Sequence, residues 1–532
     1  MSGTSDPDAP SWGASAWGGP AMATVRIEGR GLTGALPYLG FMIVTTSTSI
    51  LASGLYGAYL YLARGRLGEE WATLVYLSFG TAYLLVGYLL TRLPRATLTH
   101  ASAVALTVVT WVSIPALAAV PFMAAARIPY IDALFESVSG WTTTGLTILT
   151  GEASSWHHTY VPRVEELPVT LQVWRTLMQW EGGLGIVVFT IGVLAAPGIS
   201  AAALYLAEGR VEKIEASVAA TAWKMFIIYS TLTAVSAALF FLAGMPLYDA
   251  ISHAMTGVAT AGFSTHTESI GYYLSNRAVM IVAMVTVLSG AINFRDHYNI
   301  LTFRLRELAK SVELRAQAAI LLASAAASLY IWANTPSFRE RFTALQVVFH
   351  VVSSSSTAGF QAGDLGSTPD AYKAILAFLA LLGGSAFSTA GGIKVLRLVV
   401  LAKVASIEAV TPLRPHGFRP NLRLGGRRLT DQYIRSVAVT ATLMVVTHFM
   451  LSVALAGLYP SRYTLADAAF EVASAMGNVG LSVGISAASA PLGAKADLIL
   501  AMLLGRLEVI AYLVALYYAA QKLGSTLSRG PR

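Results

Sequence analysis

A short polar phrase returns four times along this chain, each time between two long apolar stretches, and it restricts the possible folds more than any other feature. The copies are SVSGWTTTGLT around Gly145, AMTGVATAGFS around Gly262, VVSSSSTAGFQ around Gly359 and VASAMGNVGLS around Gly480. Aligned on that glycine, the residue two before it is Thr143, Thr260, Thr357 or Asn478. Six before it stand Ser139, Thr256, Ser353 and Ser474, and nine before it Glu136, His253, His350 and Glu471. A single Thr-Ala-Gly-Phe among 46 glycines would carry no weight. Small residues in membrane segments usually serve close helix packing. Four copies in register instead predict four equivalent elements around one axis, the way a single polypeptide lines an ion path.

The surroundings of these phrases are those of a membrane chain. Only 12% of the 532 residues are charged, 55% are hydrophobic, and the mean hydropathy is +0.61; a soluble chain would carry about 25% charged residues. The absence of cysteine excludes disulfides, thiolate metal sites and thiol redox chemistry. The first 30 residues are polar and rich in Gly, Ser and Pro, without a basic-then-apolar leader, so 1–32 is expected to be a cytoplasmic tail. No Walker loop, nucleotide-binding glycine fingerprint or catalytic-triad spacing is present, which argues against an enzyme and against an ATP-driven pump.

Ten long apolar segments are expected at 33–63, 71–92, 100–125, 170–196, 222–244, 276–293, 316–334, 373–402, 437–459 and 496–521. Most are long enough to span a hydrocarbon core, which takes ~20 helical residues. Four shorter stretches, 131–143, 248–260, 343–356 and 466–478, are too short to span and fit re-entrant half-helices. The expected fold class is therefore an all-α polytopic protein with ten transmembrane helices and four re-entrant pore loops. After two extra helices (33–98), helix–pore loop–helix repeats occupy 99–196, 222–293, 316–403 and 437–521, followed by a cytoplasmic tail at 522–532.

Lys and Arg accumulate in cytoplasmic loops. Their concentration in 294–315 and 394–435 places both termini inside and brings the re-entrant loops in from outside. The net charge of +8 is then a topology signal, with some contact to anionic lipid, and calls for no nucleic acid.

Each half-helix would begin outside and run inward, with Asp132, Asp249 and Asp467 as N-caps and Gln346 in that place in the third copy. Their carbonyl ends would then face the membrane centre, where the partial negative charge favours a cation. Irregular backbone at that depth is tolerated only where it lines a cavity, and glycine supplies the backbone freedom the turn needs. The loops would present rings of oxygens to a monovalent cation, formed by Thr142, Thr143, Thr144 and Gly145, then Thr260, Ala261 and Gly262, then Thr357, Ala358 and Gly359, and finally Asn478, Val479 and Gly480. Glu136, His253, His350 and Glu471 are expected to clamp the half-helices behind these loops, since a metal cage there would plug the path.

Seven motifs in order resemble the Trk/Ktr/HKT superfamily of potassium transporters, and most closely its TrkH-type branch. They are FESVSGWTTTGLTIL (135–149), WRTLMQWEGGLGIVVF (174–189), GVATAGFST (257–265), STAGF (356–360), GGSAFSTAGGIKVLR (383–397), FEVASAMGNVGLSVGI (470–485) and GRLEV (505–509). The resemblance covers about residues 33–521 and implies K⁺ uptake across the prokaryotic plasma membrane through a single-chain, pseudo-fourfold pore. In that superfamily a serine at the first filter glycine accompanies Na⁺ transport and glycine in all four loops accompanies K⁺ selectivity. Glycine occupies all four positions here. Asn478 replaces the threonine of the other copies, offering an oxygen but also amide donors that repel a cation.

The glycine pairs Gly383-Gly384 and Gly391-Gly392, bracketing Ser385, Ser388 and Thr389, predict a break in 373–402. The residues alone fit equally a kinked helix with Lys394 reaching the inner interface. The resemblance implies an intramembrane loop that blocks the pore below the filter, and assigns Arg506 to its neighbourhood as a barrier to cations. A buried Arg506 is costly unless it faces a cavity or partner; Glu508 would point away from it on a helix. Glu181, where the superfamily usually has an apolar residue, could pair with Arg175 or Arg506 or be protonated. The resemblance further implies a homodimer and a cytosolic TrkA-type nucleotide-binding subunit, with no cofactor beyond the transported K⁺. An H⁺- or Na⁺-coupled symporter is the alternative; its inverted repeats and midplane carboxylates fit less well with repeats of one orientation.

Overall fold

The computed structural model describes residues 34–194, 199–210, 212, 214–413, 422–424, 427–459 and 461–527. The chain is mostly helical. Two long helices, α1 (Leu36–Arg64) and α2 (Glu70–Thr91), pack closely against each other before the repeats begin. Proline in its first turn starts α1 and a left-handed Gly65 ends it. The first repeat comprises α3 (His100–Ala126), α4 (Tyr130–Trp141), a hairpin of β1 (Thr150–Ala153) and β2 (Tyr160–Arg163), then α5 (Val169–Leu184) and α6 (Ile186–Leu194). A connecting helix α7 (Ile199–Ala207) leads to the second repeat: α8 (Val218–Leu242), α9 (Leu247–Val258), α10 (Arg277–Ala291) and α11 (Phe294–Leu301). The short α12 (Leu305–Ala309) joins it to α13 (Val312–Asn334), α14 (Pro336–Arg341), α15 (Ala344–Ser355), α16 (Asp370–Leu382) and α17 (Val395–Val410). A two-residue ribbon, β3 (Arg423–Leu424) with β4 (Arg427–Arg428), precedes the fourth repeat of α18 (Asp431–Gly457), α19 (Leu465–Met476) and α20 (Leu492–Leu527).

Seven helices among the described residues are long and apolar enough to cross a membrane, or eight if the sharply bent α10–α11 pair counts as one span. They carry their large apolar side chains outward: Leu85 and Leu89 on α2, Leu322 and Tyr330 on α13, and Phe449 and Met450 on α18 are exposed. A soluble protein does not spread such a surface over most of its helices; a lipid-facing one must. The interior holds bulky aromatics, with Trp174 edge-on to both Tyr76 and Trp141.

The expected half-helices are present as α4, α9, α15 and α19, each of 12 residues. Their starts differ from expectation. The N-caps are Pro129, Pro246, Thr343 and Thr464, whereas Asp132, Asp249, Gln346 and Asp467 all sit three residues later. Gln346 and Asp467 close capping boxes with Thr343 and Thr464. Asp132 has a different partner: Lys495 of α20, fully buried with it, whose Nζ also donates to Ala488 O at 2.8 Å. Lys373 of α16 pairs with Asp467 at 2.6 Å. Each ion pair ties the N-terminal turn of one half-helix to the helix that ends the preceding repeat, taken cyclically.

The break expected in 373–402 occurs, with α16 ending at Gly383 and α17 beginning at Val395. The other three repeats break their last helix too. Gly185 (φ 96°) separates α5 from α6, a 108° bend separates α10 from α11, and Glu508 (φ 64°) interrupts α20. Close backbone approach explains where. A Cβ on Gly182, Gly290 or Gly505 would lie 2.2, 2.5 or 2.0 Å from the carbonyl oxygen of Trp141, Val258 or Met476, the residue four before that repeat's own loop glycine.

Candidate ion pathway

Each half-helix ends in the same way. The N–H of Thr143 bonds to Gly140 O and that of Thr144 to Ser139 O, at 3.1 and 2.9 Å. The matching pairs recur for Thr260 and Ala261, Thr357 and Ala358, and Asn478 and Val479, all between 2.8 and 3.1 Å. This is the Schellman stop, which needs a left-handed residue just past the helix. Thr143, Thr260, Thr357 and Asn478 occupy it with φ of 57°, 50°, 56° and 52°. Asparagine tolerates that conformation, but a β-branched threonine does so only under strain, ~1–3 kcal/mol per residue. Three such threonines at one level mark a site held in place by its surroundings.

Two residues on, the glycines return to positive φ: 85° at Gly145, 80° at Gly262, 71° at Gly359 and 106° at Gly480. They form a closed ring in chain order. A Cβ on Gly145 would meet Ala261 O at 2.2 Å, on Gly262 Ala358 O at 2.3 Å, on Gly359 Val479 O at 1.7 Å, and on Gly480 Thr144 O at 2.2 Å. All thirteen residues expected to line the filter therefore lie together, with a backbone carbonyl in every seam between adjacent loops.

Behind this ring, the quartet nine residues before each glycine grips the strand that leaves it. Glu136 accepts from Thr147 Oγ1 and Ile148 N, and pairs with Arg175 at 2.7 Å. His253 bonds Ser264 Oγ at 2.9 Å, His350 accepts from Ala362 N at 3.0 Å, and Glu471 accepts from Ser482 Oγ, Val483 N and Ser486 N. The clamp expected of these four residues is what they make. Sequence reasoning missed Gln179, which donates to Ala261 O and accepts from Phe263 N, and Arg175 in its role across two repeats, donating also to Ser264 O.

Directly against the Thr143, Thr260, Thr357 and Asn478 level lies the loop 383–394. The Gly391 N–H donates to Thr357 Oγ1 at 2.9 Å, and a Cβ on Gly391 would meet Gly477 O at 2.1 Å. Thr389 Oγ1 lies 2.8 Å from Gly290 O and 3.2 Å from Thr260 Oγ1. Ser385 Oγ donates to Gln317 at 3.0 Å, and Ser388 Oγ to Ser385 O at 2.7 Å. Gly383 and Gly392 bring the two ends of the loop into backbone contact. Gly384 O accepts from Val395 N. Lys394 turns back to Ala390 O within the loop, so it ties the loop and does not snorkel.

The loop touches repeats two, three and four; Arg506 serves the first. Its guanidinium donates to Thr143 Oγ1 at 3.0 Å and to Gly182 O, and lies over the Trp111 ring at 4.8 Å. Glu508 pairs with Arg397 of α17 at 2.6 Å, away from Arg506 as expected. Neither partner considered for Glu181 is its partner. Arg175 is taken by Glu136, Arg506 faces the loops, and Glu181 instead accepts from Ser49 of α1.

The fourth loop resolves the expectation about its amide. Asn478 Nδ2 donates to Met502 O and to Thr144 Oγ1, both at 3.0 Å. A carbonyl can only accept, so this orientation fixes which atom is nitrogen. Oδ1 is left buried and accepts no hydrogen bond from the described residues. Both donors of the amide are thus engaged by protein oxygens.

The chain is similar to known cation transporters. The family model described as TrkH, cation transport protein, matches residues 82–325 and 337–522. An uncharacterised cation transporter of Methanocaldococcus jannaschii is 29% identical over 94% of this chain and 99% of its own. The Trk system potassium uptake protein TrkH of Salmonella typhimurium is 32% identical over 76% of this chain and 82% of its own. The crystal structure of the potassium transporter TrkH from Vibrio parahaemolyticus superposes with a TM-score of 0.73 at 27% identity, covering 91% of this chain and 98% of that one. The chain belongs to the TrkH family of cation transport proteins, multi-pass membrane transporters and not enzymes.

Proposed function

We propose that the protein takes up K⁺ across the prokaryotic plasma membrane through a single-chain pore. Its selectivity filter is the ring of Gly145, Gly262, Gly359 and Gly480 with the oxygens of the preceding residues. The observation that carries this reading is the closed ring itself: four loops with the same stop, the same two positive-φ positions and the same seam contacts. The named TrkH relatives handle potassium, which fits glycine at all four positions. In this reading each repeat contributes two spanning elements, the second broken, and one re-entrant loop. With α1 and α2 that makes ten spans and places both termini in the cytoplasm.

The loop 383–394 and Arg506 close the inner side of the ring. Opening is assigned to a cytosolic nucleotide-binding subunit of the TrkA type, acting on a homodimer through the basic inner stretches. Part of 394–435 falls outside the described residues. Purified protein in liposomes under a K⁺ gradient should pass K⁺ or Rb⁺ in strong preference to Na⁺, with no imposed proton gradient. Glu181, a buried carboxyl whose partner among the described residues is one serine hydroxyl, supports a second reading as an H⁺-coupled symporter. Uptake that requires an inward proton gradient would favour it and overturn the pore.

A further inference from the structure

A buried guanidinium bonds the loop 383–394 directly, and it comes from a different part of the chain from Arg506. Arg210 follows α7 in the connection between the first two repeats. It is 8% exposed. Its Nη1 donates to Ser388 O at 2.8 Å, and its Nη2 to Leu184 O at 3.4 Å. One planar side chain thus bridges the tip of the loop to the last residue of α5, where the first repeat breaks. The neighbouring Glu208 completes the arrangement. Its carboxylate accepts from Val187 N and Val188 N at 3.3 and 2.9 Å, occupying the free N–H groups that open α6. Glu208 also attracts both Arg210 and Arg506, while Arg210, Arg506 and Lys394 repel one another.

We propose that Arg210 is a latch for the gate: it holds the loop 383–394 closed by pinning Ser388 to the α5–α6 break, and it connects that closure to α7. This rests on the reading of 383–394 as the gate. The physical argument is one of geometry and charge. The loop is tied elsewhere to repeats two and three, by Ala386 N to Glu313, Thr389 Oγ1 to Gly290 O and Gly391 N to Thr357; Arg210 adds a tie from Ser388 O, otherwise a buried acceptor, to the first repeat. The bond from Arg210 is charge-assisted, as is the one Ala386 N donates to the Glu313 carboxylate. The guanidinium reaches the two carbonyls from two separate nitrogens, whereas a lysine ammonium would have to serve both from one. Because Arg210 stands beside α7, a movement of α7 relative to α5 would withdraw the guanidinium from Ser388. That movement would also take one positive charge away from the ion path.

The test is basal Rb⁺ flux in liposomes for the parent, Arg210→Gln, Arg210→Lys and a protein lacking Ser385–Gly391. Arg210→Gln should raise flux about tenfold or more, the equivalent of losing one hydrogen bond to a charged group. Arg210→Lys should also raise it, because it keeps the charge but loses the bridge; parent-level flux in Arg210→Lys would overturn the latch in favour of a purely electrostatic barrier. If the loop deletion raises flux and Arg210→Gln does not, the latch is wrong and the gate reading stands. If the deletion leaves flux unchanged, the gate reading fails and the latch with it. Since the chain has no cysteine, Ser388→Cys provides a second measure that does not depend on flux. Its modification by a water-soluble thiol reagent should accelerate when Arg210→Gln is added, and an unchanged rate in folded protein would overturn the latch.

Discussion

Replacing Gly145 by serine adds a Cβ where the backbone has φ of +85° and where Ala261 O lies 2.2 Å away, Ala261 C 3.2 Å and Gly262 Cα 3.4 Å. The obstacle is backbone, so no rotamer change relieves it. Ordinary contact requires the second loop to retreat by ~1 Å, since attractive packing begins only near 3.5 Å. The left-handed conformation itself costs the new side chain roughly 1–2 kcal/mol. The retreat also strains the hydrogen bond from Gln179 to Ala261 O, which is 2.7 Å long. Opening one of four seams by that distance unbalances a cage whose oxygens replace the ion's hydration shell. If the loss to K⁺ is of the order of one hydrogen bond to a charged group, about 1.5–3 kcal/mol, the K⁺ over Na⁺ preference should fall roughly 10- to 100-fold. The assay is ⁸⁶Rb⁺ and ²²Na⁺ uptake into the same liposome preparation, normalised to folded protein by size-exclusion chromatography. A monodisperse Gly145→Ser protein with the parent's ratio would refute the assignment of this ring as the filter.

Other expectations follow from the same geometry. Arg506→Ala should raise flux without changing the K⁺/Na⁺ ratio, because a fixed charge ~4 Å from a passing cation costs about 4 kcal/mol at an effective dielectric constant near 20; parent-level flux would make Arg506 structural. Asn478→Leu should lower K⁺ preference in ion-competition flux, since it deletes the unpartnered Oδ1 and leaves Met502 O without its donor. Asn478→Thr should keep the preference but lower the thermal midpoint, a left-handed β-branched residue costing ~1–2 kcal/mol. Lys495→Met should destabilise by about 3–5 kcal/mol by stranding the buried Asp132, and adding Asp132→Asn should restore most of it in thermal unfolding.

What was legible in the sequence was what repeats or is local. The half-helices were readable because a dozen apolar residues cannot span a membrane, and the loop glycines because four copies share one register. The break in 373–402 showed itself through two glycine pairs within ten residues. What escaped depends on contacts distant in the chain. Asp132 looked like an N-cap because Lys495, its partner, lies 363 residues away. The break at Gly185 has a local signal in Gly182, Gly183 and Gly185, whereas the one at Glu508 has little; in both repeats a glycine, Gly182 or Gly505, lies against a carbonyl of its own half-helix. The arginines Arg175 and Arg506 are the partners the sequence suggests for Glu181, whereas its partner sits on the first of the two leading helices, outside the repeat. Arg210 lies in a polar connection where an arginine is unremarkable until the fold brings Ser388 beside it.

The proposed function requires a monovalent cation on the axis of the four-glycine ring. Crystals of the protein grown in Rb⁺ and measured at the rubidium absorption edge test it most directly. An anomalous peak enclosed by the loops of Gly145, Gly262, Gly359 and Gly480, lost when Na⁺ replaces Rb⁺, is the result expected. A fully occupied Rb⁺ elsewhere, such as beside Glu181, with an empty ring would contradict it.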